Sequence, residues 1–274
     1  MGMGTLYIVA TPIGNLEDMT YRAVRILNEV QLIAAEDTRT SRVLTNHFEI
    51  ETPMTSYHEH NKLNKLDNIL SHLNTGDIAL ISDAGTPGIS DPGYELVHEA
   101  IKRGYPVVPI PGANAAITAL VASGLATDSF TYIGFLPKKQ NARQDILHAL
   151  KNEKRTIIAY ESPHRVADTL GQVASILGAD RQVCVARELT KKFEEFWRGT
   201  AKEAVQHFSN ENPKGEVTLL IEGAVDAGDW NKSTVLAALD SKLDEGMSLS
   251  QASKEVAALS GWKKRAIYEL GLAE

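Results

Sequence analysis

The 274-residue chain has a single cysteine, Cys184, which excludes a disulfide scaffold and any zinc site built from several thiolates. It sits between two valines in a strand-like run, so the reading is core packing rather than chemistry. Long apolar runs are also missing. Stretches such as Ile78 to Ile81 and Ala115 to Val121 fall far short of the roughly 20 residues that a membrane helix needs. Met1-Gly2-Met3-Gly4 leads straight into an apolar segment without a basic region or a small-residue cleavage site, so no secretory leader is expected. Together these absences point to the cytoplasm. No G-x-G-x-x-G follows the first strand, no phosphate-binding G-x-x-x-x-G-K-[ST] occurs, and there is no G-x-S-x-G nucleophile elbow.

What the chain does have is an ordinary globular composition, 43% hydrophobic and 23% charged, with a formal net charge of −7. The charge is unevenly spread. Residues 1–137 carry 8 basic and 15 acidic groups, whereas residues 138–198 carry 12 basic against 8 acidic. A polyanion would therefore settle on the middle segment, where Lys138, Lys139, Arg143, Arg187 and Lys191 lie, and not on the whole surface.

Apolar runs of strand length alternate with helical periods. Strands are expected at Leu6 to Ala10, Gln31 to Ala35, Asp77 to Ser82 and Pro106 to Ile110, with helices between them, which gives an α/β domain over residues 1–120 with a parallel sheet. Further strands are expected from Ser129 onward. Two of them, between 182 and 199, have no helix between them, which implies antiparallel pairing and a second α/β domain, 121–223, with a mixed sheet. Gly223 to Asn231 reads as a linker, and 232–274 as three helices with helix-turn-helix spacing and a basic triplet, Lys263, Lys264 and Arg265.

Ligands of open parallel sheets bind at the carboxyl ends of the strands. Three Gly- or Pro-containing loops fall there, namely Thr11 to Asn15, Asp83 to Gly88 and Pro111 to Ala113, and three on one side favour a binding cleft over plain turns. Glu36-Asp37-Thr38-Arg39 follows the second strand. From spacing alone it is a helix cap with a local ion pair; the functional alternative is a carboxylate that takes a proton from a hydroxyl. His58-Glu59-His60 lacks the further ligands of a tetrahedral metal site, so no metal is expected, and His58 is kept as a candidate base or substrate contact.

An ordered set of motifs spans nearly the whole chain: Thr11-Pro12-Ile13-Gly14-Asn15-Leu16, Ala34-Ala35-Glu36-Asp37-Thr38-Arg39, Ser82-Asp83-Ala84-Gly85-Thr86-Pro87, Asp91-Pro92-Gly93-Tyr94, Gly134-Phe135-Leu136-Pro137, Tyr160-Glu161-Ser162-Pro163-His164-Arg165, Ala186-Arg187-Glu188-Leu189-Thr190-Lys191, Lys214-Gly215-Glu216 and Lys264-Arg265-Ala266-Ile267-Tyr268. The set resembles the ribosomal RNA small subunit methyltransferase I family of the tetrapyrrole-methylase superfamily. The resemblance implies a tetrapyrrole-methylase-like fold that holds S-adenosylmethionine in a cleft between two α/β domains. It also implies methylation of the ribose 2′-hydroxyl of a cytidine in the decoding region of 16S ribosomal RNA. It implies cofactor contacts at Pro12, Ile13, Gly14, Asp83, Ala84, Gly85, Ala116 and Ile117. Catalytic candidates are Glu36 or Asp37 with His58 behind them. RNA contacts are expected at Arg39, Lys138, Lys139, Arg187, Lys191, Lys263, Lys264 and Arg265. The partner is the small ribosomal subunit, and a homodimer is expected. The rivals are a methylase of the same superfamily acting on a tetrapyrrole or a protein histidine, and a nucleic-acid-binding regulator.

Overall fold

The computed structural model describes residues 3–209, 213–224, 230 and 232–272. They divide into two compact units, one drawn from residues 1–150 and 156–222, the other from 151–155 and the segment beyond 222. The expected linker falls mostly outside the described residues, as do the last two positions of the tail.

Five strands, β1 (Leu6–Val9), β2 (Leu32–Ala35), β3 (Met54–Ser56), β4 (Ile78–Ile81) and β5 (Val107–Ile110), form a parallel sheet in the order β3-β2-β4-β1-β5. All four residues of β4 and three of β2 are buried, as apolar runs covered on both faces must be. On one face, α1 (Tyr21–Glu29) packs Ala23, Ile26 and Leu27 against Val9, Ile33, Ala79 and Ile81. The Thr20 hydroxyl starts that helix by accepting the Ala23 N–H at 3.1 Å. On the other face, α3 (Lys62–His72) and α4 (Tyr94–Lys102) set Ile69, Leu70, Leu96 and Ala100 against Leu6, Ala34, Ile78 and Leu80. Between β2 and β3 lies α2 (Thr38–His47). The short edge strand β3 is absent from the sequence-based expectation, because Met-Thr-Ser carries no apolar alternation.

The strand order fixes where a ligand can enter. From β1 the chain crosses over on the α1 face to β2, and from β4 it crosses on the opposite face, through α4, to β5. The connections that follow the neighbouring strands β1 and β4 therefore run on opposite faces of the sheet, and a crevice lies at their carboxyl ends.

The second sheet is mixed, as expected. Its strands are β6 (Phe130–Phe135), β7 (Thr156–Glu161), β8 (Gln182–Arg187), β9 (Glu195–Thr200) and β10 (Val217–Ile221), in the order β6-β7-β10-β8-β9. Only β6 and β7 are parallel, and β8 and β9 pair antiparallel. One face is covered by α6 (Gln140–Ala149), α7 (Val166–Ile176) and α8 (Ala201–Ser209), through residues such as Leu147, Leu170, Val173 and Phe208. The other carries α5 (Ala115–Ser123), whose Ala116, Ala119 and Leu120 meet Ile158, Cys184 and Leu220. Cys184 is buried there, in its expected structural role.

The second unit contains α9 (Lys232–Asp244), α10 (Leu249–Ser260) and α11 (Lys264–Gly271), closed around Val235, Leu239, Ala252, Val256 and Ile267. Ser248 and Gln251 form a capping box at the start of α10, and Gly261, at φ +71°, ends it. Among the described residues no helix is long and apolar enough to cross a membrane.

Candidate functional site

The loops after β1 and β4 are stitched together at the crevice. Thr11 and Gly85 exchange backbone hydrogen bonds at 2.8 and 3.0 Å, and the Thr11 hydroxyl donates to the Ser82 carbonyl at 3.2 Å. Gly85 has φ +79°, a backbone state in which a side chain would be strained. These loops floor a cleft of about 400 Å³ whose walls include Ile13, Asp83 to Thr86, Ile89 to Asp91, Asn114, Ala115, Phe135, Tyr160 to Pro163 and Gly215 to Thr218.

The cleft is acidic. Glu36, Asp83 and Asp91 all line it, and two backbone bonds lock their loops: the Asp37 N–H donates to Asp83 Oδ1 at 3.1 Å, and the Asp83 N–H donates to Glu36 Oε2 at 3.3 Å. Burial raises all three carboxyls above their ordinary values, and repulsion from nearby carboxylates, Asp37 among them, adds to it. Asp91 is pushed furthest, up to about 7, by burial first and then by the Glu36 charge, with a Ser82 hydrogen bond opposing the rise. A fourth acid, Glu161, is fully tied up. It accepts the Ser162 N–H and the Thr169 hydroxyl, each at 2.6 Å, and pairs with Arg165 at 2.5 Å. Partly buried carboxylates are stabilised when a cation offsets their charge, and Ile13, Ala84, Ile89, Ala115 and Phe135 add apolar wall to the same cleft.

The expected cofactor positions divide. Ile13, Asp83, Ala84 and Gly85 line the cleft. Pro12 is buried beside them. Gly14 lies under another loop: a Cβ there would stand 2.5 Å from Lys191 Cγ and 3.0 Å from Thr190 Oγ1. On α5 the wall is made by Asn114 and Ala115, whereas Ala116 is buried against the second sheet and Ile117 is 44% exposed.

Of the catalytic candidates, Glu36 faces the cleft and Asp37 does not. Asp37 caps α2 by accepting the Arg39 N–H at 2.8 Å, and its other oxygen meets the Arg39 guanidinium at 2.6 Å. Those bonds hold the Asp37 carboxyl well below the usual range, so it is a poor proton acceptor. His58 stands in an adjoining recess of about 240 Å³ with Glu36, Asp37, Thr38, Arg39 and Ser56. Its Nε2 meets the Asn61 amide at 3.0 Å and its Nδ1 is buried without a partner. No cluster of metal-ligating side chains occurs among the described residues.

The expected RNA contacts differ in their surroundings. Lys138, Lys139 and Arg39 are exposed. Arg187 is bound to Glu195 at 2.6 Å and to the Lys214 carbonyl at 3.2 Å. Lys191 lies between Glu188 and Glu216 at 3.0 and 3.1 Å. Arg143, counted in the sequence with the basic middle segment, is buried and donates to Gln172 at 3.1 Å, because its helical phase faces α7. In the second unit Lys263, Lys264 and Arg265 are exposed, with Lys264 on the Ser250 hydroxyl at 3.1 Å and Arg265 paired to Glu269 at 2.8 Å.

Asp91, Phe135, Tyr160 and Glu161 are not among the residues that sequence reasoning assigns to the site. All four lie inside the ordered motifs; for Phe135, Tyr160 and Glu161 a place at the end of a strand is the signal that could have found them, whereas Asp91 lies in the loop beyond β4 and carries no such mark.

Comparisons with known proteins identify the family and the fold. The family model for tetrapyrrole (corrin/porphyrin) methylases matches residues 5–205, and that for the RsmI C-terminal HTH domain matches residues 233–274. The chain is similar to proteins named ribosomal RNA small subunit methyltransferase I. It is 50% identical to the one from Synechocystis sp. over 273 residues, covering 98% of each chain. With that of Bacillus subtilis it shares 46% over 274 residues, 97% of this chain and 94% of the relative. Among solved structures, uroporphyrin-III-C-methyltransferase from Thermus thermophilus shares the fold, with a TM-score of 0.57 at 17% identity over 80% of this chain and 94% of that one.

Proposed function

Because the chain belongs to the ribosomal RNA small subunit methyltransferase I family of tetrapyrrole methylases, we propose that it methylates the ribose 2′-hydroxyl of a cytidine in the decoding region of 16S ribosomal RNA. The observation that carries this reading is the acidic, half-apolar cleft at the β1/β4 switch point.

The cofactor of this family is S-adenosylmethionine, and when bound it supplies a methyl group on a positively charged sulfur. The residues present suit such a group. Ile13, Ala84, Gly85 and Ala115 give small, close-approaching walls, and Asp83 with its neighbours gives compensating negative charge. Pro12 and Gly14 shape the loop that carries Ile13, while Ala116 and Ile117 act through the helix that carries Ala115.

A ribose hydroxyl is a weak acid, so a nearby carboxylate that accepts its proton contributes roughly 10²–10⁴-fold. Glu36 and Asp91 are the two cleft carboxyls suited to this, since burial raises both and the Glu36 charge raises Asp91 further. His58 stands behind Glu36 and steadies its charge. The exposed Lys138, Lys139 and Arg39, and the basic triplet Lys263, Lys264 and Arg265, meet RNA phosphates. The enzyme works in the cytoplasm as a homodimer; Ile117 and Val121, one helical turn apart on α5 and 44% and 72% exposed, are apolar surface for a second copy.

The test is transfer of labelled methyl from S-adenosylmethionine to small ribosomal subunits that lack the modification, followed by nucleoside analysis. Label in 2′-O-methylcytidine is the expected result. Cofactor binding without transfer would leave a methylase with a tetrapyrrole or protein-histidine acceptor, and neither binding nor transfer would leave the regulator.

A further inference from the structure

An exposed phenylalanine stands at the rim of this cleft. Phe135 ends β6, is 63% exposed and lines the cleft, although turning it inward would bury one of the larger apolar side chains. Its position is set by a bulge. The register of β6 against β7 shifts between Tyr132 and Phe135, and Gly134 within the bulge has φ +67°. Bulges re-aim a side chain at the end of a strand. Here the ring is delivered edge-on to Tyr160, at 5.3 Å between centroids, and Tyr160 meets Tyr132 in the same way at 5.4 Å. The three rings support one another and leave one side of Phe135 free.

The opposite loop is shaped to match. Ser90 holds φ +63°, a strained state for a residue with a side chain, and its hydroxyl is bonded to the Tyr132 hydroxyl at 2.6 Å. A Cβ on Gly134 would stand 3.1 Å from Ser90 Oγ, so the bulge and this loop are in close contact. The neighbour of Ser90, Ile89, lines the same cleft and is 42% exposed. Ile89 and Phe135 thus line one cleft from two loops that touch at Ser90 and Gly134, and Asp91 lines it too.

We infer that Phe135, with Ile89, is the stacking platform for the nucleobase of the nucleotide being methylated. An enzyme that reacts with one nucleotide of a folded RNA takes it out of its stack, and a base so exposed is held on aromatic and apolar side chains. The inference rests on the RNA reading above, because it gives that site a nucleobase as occupant.

The experiment is methyl transfer to unmodified small ribosomal subunits by full-length Phe135→Ala, Phe135→Leu, Phe135→Tyr and Phe135→Trp, with cofactor affinity by calorimetry, melting temperature, and mass by sedimentation. Loss of a base–aromatic stack lowers kcat/KM for subunits on the order of 10-fold or more in the alanine variant. Leucine, which keeps apolar bulk without a ring, falls nearly as far, and tyrosine and tryptophan stay within about 3-fold of wild type on the same scale. Cofactor affinity and mass are unchanged. Turnover of the alanine and leucine variants near wild type would overturn the proposal. So would a loss traced to cofactor affinity or to dissociation of the oligomer, which would make the ring a cofactor or subunit contact. Failure of the wild-type enzyme itself to methylate subunits would instead overturn the RNA reading.

Discussion

At Asp91 a carboxyl is kept in a place that disfavours its charge. Burial and the Glu36 charge push it up to about 7, against about 3.9 for an unstructured aspartate. The folded protein therefore holds a proton there that the unfolded chain has lost, between about pH 4 and about pH 7. Stability must fall as pH rises through that window, and the cost is complete above it. Asp91→Asn is expected to melt at a higher temperature than wild type at pH 8, with the difference gone by pH 4; scanning calorimetry at the two pH values checks this. The same variant is expected to lose roughly 10²–10⁴-fold in methyl transfer, as is Glu36→Gln, and Asp37→Asn to lose far less. Activity of the wild type should rise with pH through about 7, as Asp91 sheds its proton, and this limb should be displaced in Asp91→Asn. Asp91 was invisible in the sequence because Asp-Pro-Gly reads as a turn. Its burial and its nearness to Glu36 exist only after β2 and β4 are laid side by side. Glu36 and Asp37 were legible as a pair, but which faced the cleft was decided by the α2 cap, which takes Asp37.

The loop between β8 and β9 shows how an element can look like a binding surface and be an internal brace. Glu188 and Thr190 both hold positive φ, and Glu188 accepts the Glu216 N–H at 3.0 Å while pairing with Lys191. Gly215, at φ +90°, faces it so closely that a Cβ would fall 2.2 Å from Glu188 Cδ. Gly215→Ala is expected to cost on the order of 1–3 kcal/mol of stability and to weaken cofactor binding, since Gly215 and Glu216 line the cleft; denaturant melts and calorimetry check both. Because Lys191 and Arg187 are already neutralised by Glu188, Glu216 and Glu195, Lys191→Met and Arg187→Met are expected to leave the salt dependence of RNA binding unchanged. The double change of Lys138 and Lys139 to Gln should flatten it by about 0.7–0.9 per phosphate contact in log K against log salt. Elements with strong apolar runs, β1, β2, β4 and β10, were legible in the sequence. What was not legible is pairing: β3 is recognisable only beside β2, and Arg143 is a buried residue only because α6 presents that side to α7.

For the whole molecule, charge and domain order make one further demand. A chain of net charge −7 gains little from indiscriminate attraction to RNA, so its affinity has to come from a few placed cations. The C-terminal unit offers three adjacent ones, Lys263, Lys264 and Arg265, at the start of a helix. Every residue lining the cleft lies in the first unit, and the tail's apolar core of Val235, Leu239, Ala252, Val256 and Ile267 is made from its own helices. Removing residues 232–274 is therefore expected to leave cofactor affinity within about twofold of the intact protein, the scatter tolerated for an independent site. Methyl transfer to subunits should fall steeply through KM, and the salt slope of RNA binding should flatten by about 0.7–0.9 for each phosphate that the tail no longer neutralises. Calorimetry with S-adenosylmethionine and a titration of subunit binding against salt separate the two effects. If the truncated chain kept its subunit affinity and slope, RNA recognition would belong wholly to the first unit, and the exposed Lys138 and Lys139 would have to carry it, since Arg39 is paired with Asp37.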